Sequence, residues 1–434
     1  MTVDVNKRFN NTLVTQLSKR NNEPNWMLDL RLEALKNYQQ LPLPELKKTK
    51  IDKWNIDQFE IETNEPIVEN FDSLPKDVKK LVEENKANRN VLVQKNSTVI
   101  YQEISKNLTD QGVIYSSLKT ALKEYPDLVK NYFMKSIGFD DNKLIALHTA
   151  LWNDGIFLYV PKNVEVEVPV QALFIGEKGG ILPHIIIVAE KNSSITYIDN
   201  YLSIDLADIA VHNGVVELFV GEGAKVRYAS IHNFNSKIDD YTYRKAVVDR
   251  YGKVELIIGE MNDGNTVSNN TSYLKKSSAT ADIKSIFIGT GKQRANFVAE
   301  VIHKGEYTES NILSHGVMLN ESTAIFNGVT KIEKGAIKSN ASQTEKILML
   351  SSDARGEANP ILLIDEYDVK AGHAASAGPV NPNDIFYLMS RGITEDEAKR
   401  LIIHGFLSPV VAKISIDGIK KLLENVIERK LKND

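Results

Sequence analysis

Residues 215–231 read VVELFVGEGAKVRYASI. Two runs rich in β-branched and aromatic residues, 215–220 and 226–231, flank Gly221-Glu222-Gly223-Ala224-Lys225, which is too short for a helix and carries two glycines suited to a tight corner. Glu333-Lys334-Gly335-Ala336-Ile337 resembles that corner and is expected to start a new strand in the same way. Strand-like runs continue on either side, at 156–160, 164–170, 172–175, 184–189 and 195–198, then at 243–248, 254–258, 283–288, 296–302 and 323–329. Within 164–170 the order Val-Glu-Val-Glu-Val has the period of two that marks a half-buried strand. Many short strands at roughly ten-residue spacing fit an antiparallel sandwich or a parallel β-helix. The length of the β-rich stretch favours the β-helix, because a solenoid extends coil by coil with each coil touching only its neighbours.

The flanks read differently. Trp26, Leu28, Leu32 and Leu35 suggest an amphipathic helix that stops before Pro42, since a residue preceding proline is driven out of the α region. Residues 60–84 read as loop and then helix, 91–93 and 99–101 as a hairpin across Lys95-Asn96-Ser97, and Leu118, Leu122, Leu128 and the segment 143–150 as helix. Near the other end Thr394 and Glu397 form a capping box, Pro409 ends or kinks that helix, and Ile419, Leu422, Leu423, Val426 and Ile427 make an apolar stripe. The expected organisation is mainly β: an α-rich N-terminal domain (1–151), a parallel β-helix core (152–380) and a helical C-terminal domain (381–434), with the last helices capping the solenoid or holding a partner.

The chain has 434 residues and a net charge of -4, with 42% hydrophobic and 25% charged residues, so no global basic field suggests nucleic acid as a partner. No segment approaches the ~20 apolar residues of a spanning helix, and MTVDVNKRFNNTLVTQLSKR lacks an apolar leader core, so neither membrane nor export is expected and the location is read as cytoplasmic. Cysteine is absent, which removes thiolate nucleophiles and Cys-ligated metal sites of the chain's own. There is no Walker A motif, no G-x-S-x-G elbow and no H-E-x-x-H. Asp239-Asp240 and Asp140-Asp141 read as solvated turns, and most of the eight histidines as structural, with His303 and His315 able to meet on successive coils.

One stretch stands apart, residues 368–392, DVKAGHAASAGPVNPNDIFYLMSRG. His373 is the single large polar side chain among Ala371, Gly372, Ala374 and Ala375, hence sterically accessible. Its bland reading is a solvated turn histidine; its functional reading is a borderline ligand for iron or zinc. Pro379 and Pro382 should stop any strand, and Asn383 or Asp384 could cap a short helix carrying Phe386, Tyr387 and Leu388 up to Arg391-Gly392.

The segment 344–406 closely resembles the SufB/SufD family of iron–sulfur cluster assembly proteins. The likeness rests on Asn359-Pro360-Ile361-Leu362-Leu363-Ile364, Asp368-Val369-Lys370-Ala371-Gly372-His373, Ile385-Phe386-Tyr387-Leu388 and Ser390-Arg391-Gly392-Ile393, with weaker similarity around Trp26 and through the β-rich middle. The resemblance implies a right-handed parallel β-helix between helical ends, in a complex with a paralogue and an ABC ATPase of the SufC type. Family members commonly carry Cys and Ser ahead of the junction histidine, where this chain has Ala371 and Gly372; the SufB branch has Glu after it, where Ala374 stands. With no cysteine, the chain resembles the SufD branch: a non-catalytic subunit, not an enzyme. On that reading Ala371, Gly372, His373 and Ala374 face a SufB-like paralogue and His373 faces a cluster-building site. Phe386, Tyr387, Arg391, Leu401 and Phe406 would dock the ATPase. No cofactor is expected to stay on the isolated chain, an iron–sulfur cluster would be present transiently in the complex, and a homodimer is left open for the chain alone. A SufB-like scaffold acting by itself, or a β-helix carbohydrate-active enzyme, are the competing readings.

Overall fold

The structure is a computed structural model describing residues 8–61, 67–68, 70–84, 90–204, 210–414 and 417–432. Residues 1–7 of the leader reading and part of the loop expected after residue 60 lie outside these. The chain begins with α1 (Asn11–Arg20), α2 (Asn25–Gln40) and α3 (Lys76–Glu84), then the hairpin β1 (Val91–Lys95) and β2 (Thr98–Glu103). Next come α4 (Lys106–Asp110), β3 (Ile114–Ser117), α5 (Leu118–Glu124), α6 (Pro126–Lys130) and α7 (Lys143–Leu151). The long β region is β4 (Gly155–Val160), β5 (Val170–Gly176), β6 (Gly180–Ile181), β7 (His184–Ala189), β8 (Ser194–Ser203), β9 (Ala210–Val220), β10 (Lys225–Asn233), β11 (Ile238–Val248) and β12 (Lys253–Glu260). It continues as β13 (Thr266–Leu274), β14 (Thr280–Gly289), β15 (Arg294–His303), β16 (Glu309–Met318), β17 (Thr323–Ile332), β18 (Asn340–Met349), β19 (Arg355–Ile364) and β20 (Lys370–Pro379). Three helices follow, α8 (Pro382–Met389), α9 (Glu395–Val411) and α10 (Asp417–Lys432).

From β7 on, strands alternate between two parallel sheets, forming a β-solenoid of about eight turns. The first sheet runs β2-β1-β5-β8-β10-β12-β14-β16-β18-β20 and the second β19-β17-β15-β13-β11-β9-β7-β4-β3, with β6 beside β9. Ser194, Lys225, Lys253, Thr280, Glu309, Asn340 and Lys370 share one register position, so a coil takes about 30 residues. Two residues before that position the backbone turns left-handed in every coil but the last, which enters β20 through Asp368: Asn192, Gly223, Tyr251, Ser278, Tyr307 and Lys338 have φ between 55° and 67°. Their N–H groups form a ladder, each donating to the corner of the following coil, as in Asn192 to Glu222, Gly223 to Arg250 and Tyr251 to Ser277. The corner at 221–225 is one rung of this column. The similar stretch at 333–337 is not its equivalent, because a second turn through Lys338 intervenes before β18.

Two strand expectations change. Residues 164–169 are not a strand, only an isolated bridge from Glu165 to Ser194; Asn163 is left-handed and Pro169 has no N–H to give a ladder, so β5 starts at Val170. Conversely β13, β16, β18, β19 and β20 are strands built largely from polar or small residues, as in NASQTEKILM and KAGHAASAGP. Hydrogen bonding to a neighbouring coil, not side-chain pattern, holds them extended.

The terminal helices cover the sheets' outer faces. In α2, Met27, Arg31, Ala34, Leu35 and Tyr38 point inward, while Leu28 and Leu32 are half-buried. Arg31 is tolerated there because Glu23 pairs with it at 2.7 Å, the carbonyls of Ala150 and Trp152 accept from it at 2.9 and 3.1 Å, and the Trp152 ring lies 4.5 Å away. Of the N-terminal helices, α1, α2 and α5–α7 pack on the second sheet through Phe157, Ile186, Val188, Val211 and Val215, while α3 packs through Val78 and Val82 on Val91, Val93, Leu173 and Ile175 of the first. At the other end Ile403, Leu407, Val410, Leu423 and Ile427 pack on Ile231, Ile257, Ile286, Ile288 and Leu313 of the first sheet. Buried Lys430 donates to the carbonyls of Met261 and Asn262 and to Asp263. These helices therefore cover a sheet face rather than capping the solenoid's end. Thr394 caps α9 as expected, accepting from the Glu397 N–H at 3.3 Å, and Pro409 lies inside it two residues before its end. The side chains of Ile419 and Leu422 lie outside the described set.

Candidate functional site at the open end

The two ends of the solenoid differ. At the N-terminal end β1 pairs antiparallel with β2, and β3 antiparallel with β4, so both sheets finish in non-solenoid strands backed by helices. At the C-terminal end β19 and β20 are each last in their sheet, and no described strand pairs with their outer edges. An uncovered parallel edge is a template for another chain.

Backbone parity says which groups are free. Lys370 and Val380 donate their N–H to Ser339 and Met349, so the even-numbered residues of β20 face β18 and the odd ones face outward. The N–H groups of Ala371, His373, Ala375 and Ala377 thus lie on the open edge. The same reasoning places Pro360 in β19 and Pro379 in β20 at outward positions, since Arg355 and Asp365 donate inward to Ser322 and Ile332. Each proline thereby avoids breaking a ladder bond. The 371–378 stretch is accordingly a strand, not a turn, and the solvated-turn reading of His373 is corrected.

His373 pairs in register with Gln343, and below it come Ile312, Ile283, Leu256 and Tyr228 in one lumen-facing column. Its side chain is on the lumen face, exposed because no further coil covers it. Ala371 is half-buried and Gly372 and Ala374 are exposed on the same strand. Beside this edge Leu363, Ile364 and Tyr367 are exposed, Tyr367 at 92%. Next, Asn381 rather than Asn383 or Asp384 caps α8, accepting from the Asn383 N–H at 3.1 Å, and Gly392 closes the helix with φ 85°. Phe386 and Tyr387 stand 72% and 58% exposed on α8, with the Arg391 guanidinium 5.3 Å from the Tyr387 ring. Leu401 is exposed on α9. Phe406 lies elsewhere: its ring is 4.9 Å from His315 and its carbonyl accepts from His315 Nδ1 at 2.8 Å, against the first sheet.

Below the open end the lumen becomes ionic. Arg244 donates to Ser268, Asn270, Ser230 and His232 Nε2 at 3.0, 3.1, 3.1 and 2.7 Å, and meets Glu260 at 3.3 Å. Asp240 accepts from His212 Nδ1 at 2.7 Å, His232 Nδ1 at 2.6 Å, Asn262 and Thr242. Burial would raise the Asp240 carboxyl, but the two histidines hold it well below the usual carboxylate range. Asp199, which accepts from Tyr228 at 2.7 Å, is pushed up by burial against the pull of Arg244. Asp240 is thus no solvated turn residue, correcting that expectation, whereas Asp141 does sit in an exposed turn and accepts from Gly138.

A second cluster ties the helical region to the solenoid. The Asn213 carbonyl can only accept, so His148 Nδ1–H donates to it at 2.7 Å. With His148 held neutral by burial, its Nε2 accepts from His184 Nδ1 at 3.0 Å, and His184 Nε2 donates to Glu217 at 3.1 Å. Glu217 also accepts the N–H groups of Met134, Lys135, Ser136 and Ile137 and the Ser136 hydroxyl. His303 and His315 do not meet; they lie in different sheets, His303 bonded to Thr308 and Ser310. Sequence spacing concealed the pairs that form, since coil geometry joins residues about 30 apart.

Comparison with known proteins agrees over nearly the whole chain. Residues 15–172 match the family model described as SufBD protein N-terminal region, and 173–406 that described as SUF system FeS cluster assembly, SufBD core domain. The chain is 45% identical over 438 aligned residues, spanning 100% of both proteins, to the iron–sulfur cluster assembly protein SufD of Bacillus subtilis (strain 168). It is 29% identical to an iron–sulfur cluster assembly SufBD family protein of Staphylococcus epidermidis (strain ATCC 12228), covering 93% of this chain and 89% of the relative. A Staphylococcus aureus (strain MRSA252) protein of the same description is also 29% identical, with the same coverage.

Proposed function

The chain belongs to the SufBD family of iron–sulfur cluster assembly proteins and is a SufD homologue, and from that premise we propose that it is a non-catalytic partner subunit which pairs edge to edge with a SufB-like paralogue. The observation that carries this reading is the open edge of β20, with four outward N–H groups and small side chains that let another strand approach. Exposed Leu363, Ile364 and Tyr367 would supply the apolar contacts around it. His373, on the lumen face of the last rung, would face a cluster assembled in the joint, where thiolate ligands come from the paralogue because this chain has none. Without the paralogue, the same edge is offered to a second copy. Phe386, Tyr387, Arg391 and Leu401 form a separate exposed surface on α8 and α9, which we assign to an ABC ATPase of the SufC type; Phe406 contributes by holding α9 on the sheet.

Deleting residues 394–434 would uncover Ile231, Ile257, Ile286 and Leu313, so docking is better tested by point substitution. Ala375→Pro removes one outward N–H and no bond to β18; with each edge hydrogen bond contributing about 1 kcal/mol and the proline also blocking approach, pairing should weaken at least about tenfold. In co-purification with the paralogue and the ATPase, Ala375→Pro should lose the paralogue alone, and Phe386→Asp with Tyr387→Asp the ATPase alone. His373→Ala should keep both and lower only cluster yield. Retention of the paralogue by folded Ala375→Pro would overturn the edge assignment.

A further inference from the structure

One rung below the open end a buried oxygen is left without a partner. Gln343 is 2% exposed, and its Nε2 donates to Thr330 Oγ1 at 2.5 Å and to the Ile361 carbonyl at 3.2 Å. That carbonyl can only accept, so the NH2 group is fixed on its side and the amide oxygen is the end left over. Oε1 makes no hydrogen bond, and a buried acceptor in that state is costly.

His373 stands directly above it. The two residues are in register on neighbouring parallel strands, about 4.8 Å apart, in the same lumen-facing column. The other lumen-facing positions of β20 hold alanines and Pro379, and those of β19 hold Gly356, Ala358, Pro360, Leu362 and Ile364, none of which has a side-chain hydrogen to donate. On the lumen face of these two strands, His373 is therefore the one side-chain donor offered to Gln343. Its ring is exposed, and its small neighbours Gly372 and Ala374 leave it free to turn.

We propose that Gln343 is a positioning residue for His373: its fixed amide oxygen accepts one ring N–H, and the other ring nitrogen keeps its lone pair and points out of the open end. This rests on the reading that His373 faces a cluster built in the joint. The two nitrogens of an imidazole point to opposite sides of the ring, so a bond directed down the lumen aims the free lone pair toward the paired chain. Histidines that bind metal almost always give their other N–H to such an acceptor, which sets tautomer and ring orientation together. Glu345 does not fill this role. It lies on the diagonal from His373, about 7–8 Å away, and reaches across the lumen to the Gly328 N–H.

The test is 15N NMR of the metal-free full-length chain labelled at histidine, at about pH 8.5, above the ordinary imidazole range. The His373 signals are those missing from His373→Ala. The parent should show one protonated and one unprotonated nitrogen, a single tautomer. Gln343→Met, which keeps the length but removes the oxygen, should move both signals toward the average of two exchanging tautomers, and Glu345→Gln should leave them in place. In the complex with the paralogue, Gln343→Met should still co-purify but should weaken retention of iron at the joint at least about tenfold. Exchanging tautomers in the parent, or a single tautomer surviving in Gln343→Met, would overturn the assignment; if Gln343→Met does not fold, the parent spectrum decides. Failure of the parent to hold the paralogue would instead overturn the pairing reading, which the spectrum of the chain alone does not depend on.

Discussion

Glu217→Gln is expected to destabilise the protein by about 3–5 kcal/mol, the range for breaking a buried, fully engaged ion pair. Glu217 is wholly buried at the centre of β9, and it receives four backbone N–H groups, one hydroxyl and the His184 ring. Glutamine keeps the volume but offers one oxygen and turns an NH2 toward donors, leaving several N–H groups unsatisfied at about 1–3 kcal/mol each before relaxation. The damage should spread, because the segment 134–137 that Glu217 holds lies against α7 and the His148–His184 pair. Glu222→Gln, five residues along at a corner where it meets Lys191 at 3.2 Å in solvent, should change stability by less than about 0.5 kcal/mol. Comparable denaturant midpoints for the two variants would contradict the anchoring role of Glu217.

The second large effect is a pH dependence. Burial pushes the Glu345 carboxyl up to about 7 from 4.5, with only the Gly328 N–H pulling the other way. Below pH 4.5 the group is protonated whether the chain is folded or not, and it contributes nothing. As the pH rises from 4.5 to 7, the unfolded chain ionises while the buried carboxyl keeps its proton, so stability is lost, by about 3 kcal/mol in all once the pH has passed 7. The unfolding free energy of the parent protein should therefore fall more steeply between pH 5 and 8 than that of Glu345→Gln. The variant should be the more stable of the two at pH 8. Parallel curves would show that Glu345 is not held in a desolvated site.

The middle of the solenoid was legible because its strands carry apolar residues into a dry lumen: Val216, Leu218, Val226, Tyr228 and Leu256 belong to one core cluster. Legibility failed in the last coils for a physical reason. There the lumen is polar, and backbone bonds to the coil below hold Ser342, Gln343 and Thr344 extended with no apolar period to read. The alternating valines at 164–168 failed in the opposite sense, having the period but ending at a proline that cannot join the ladder. His373 could be singled out by its isolation among small residues. Arg244 and Glu260 could not, since they meet across the lumen only once the coil has closed, and Asp240 looked like any paired acid in a turn. Whether α9 and α10 cap an end or cover a face was equally hidden, because the apolar stripe of Leu423, Val426 and Ile427 suits both.

The edge-pairing account is tested most directly by amide hydrogen exchange on residues 370–379, with and without the SufB-like paralogue. In the monomeric chain, at a concentration too low for two copies to pair, the outward amides of Ala371, His373, Ala375 and Ala377 should exchange quickly while the even-numbered amides, bonded to β18, are protected. Adding the paralogue should slow the four outward amides by at least about tenfold and leave the corner ladder at residues 338–340 unchanged. Protection confined to α8 and α9, with the β20 amides still exchanging freely in the purified complex, would contradict pairing through this strand.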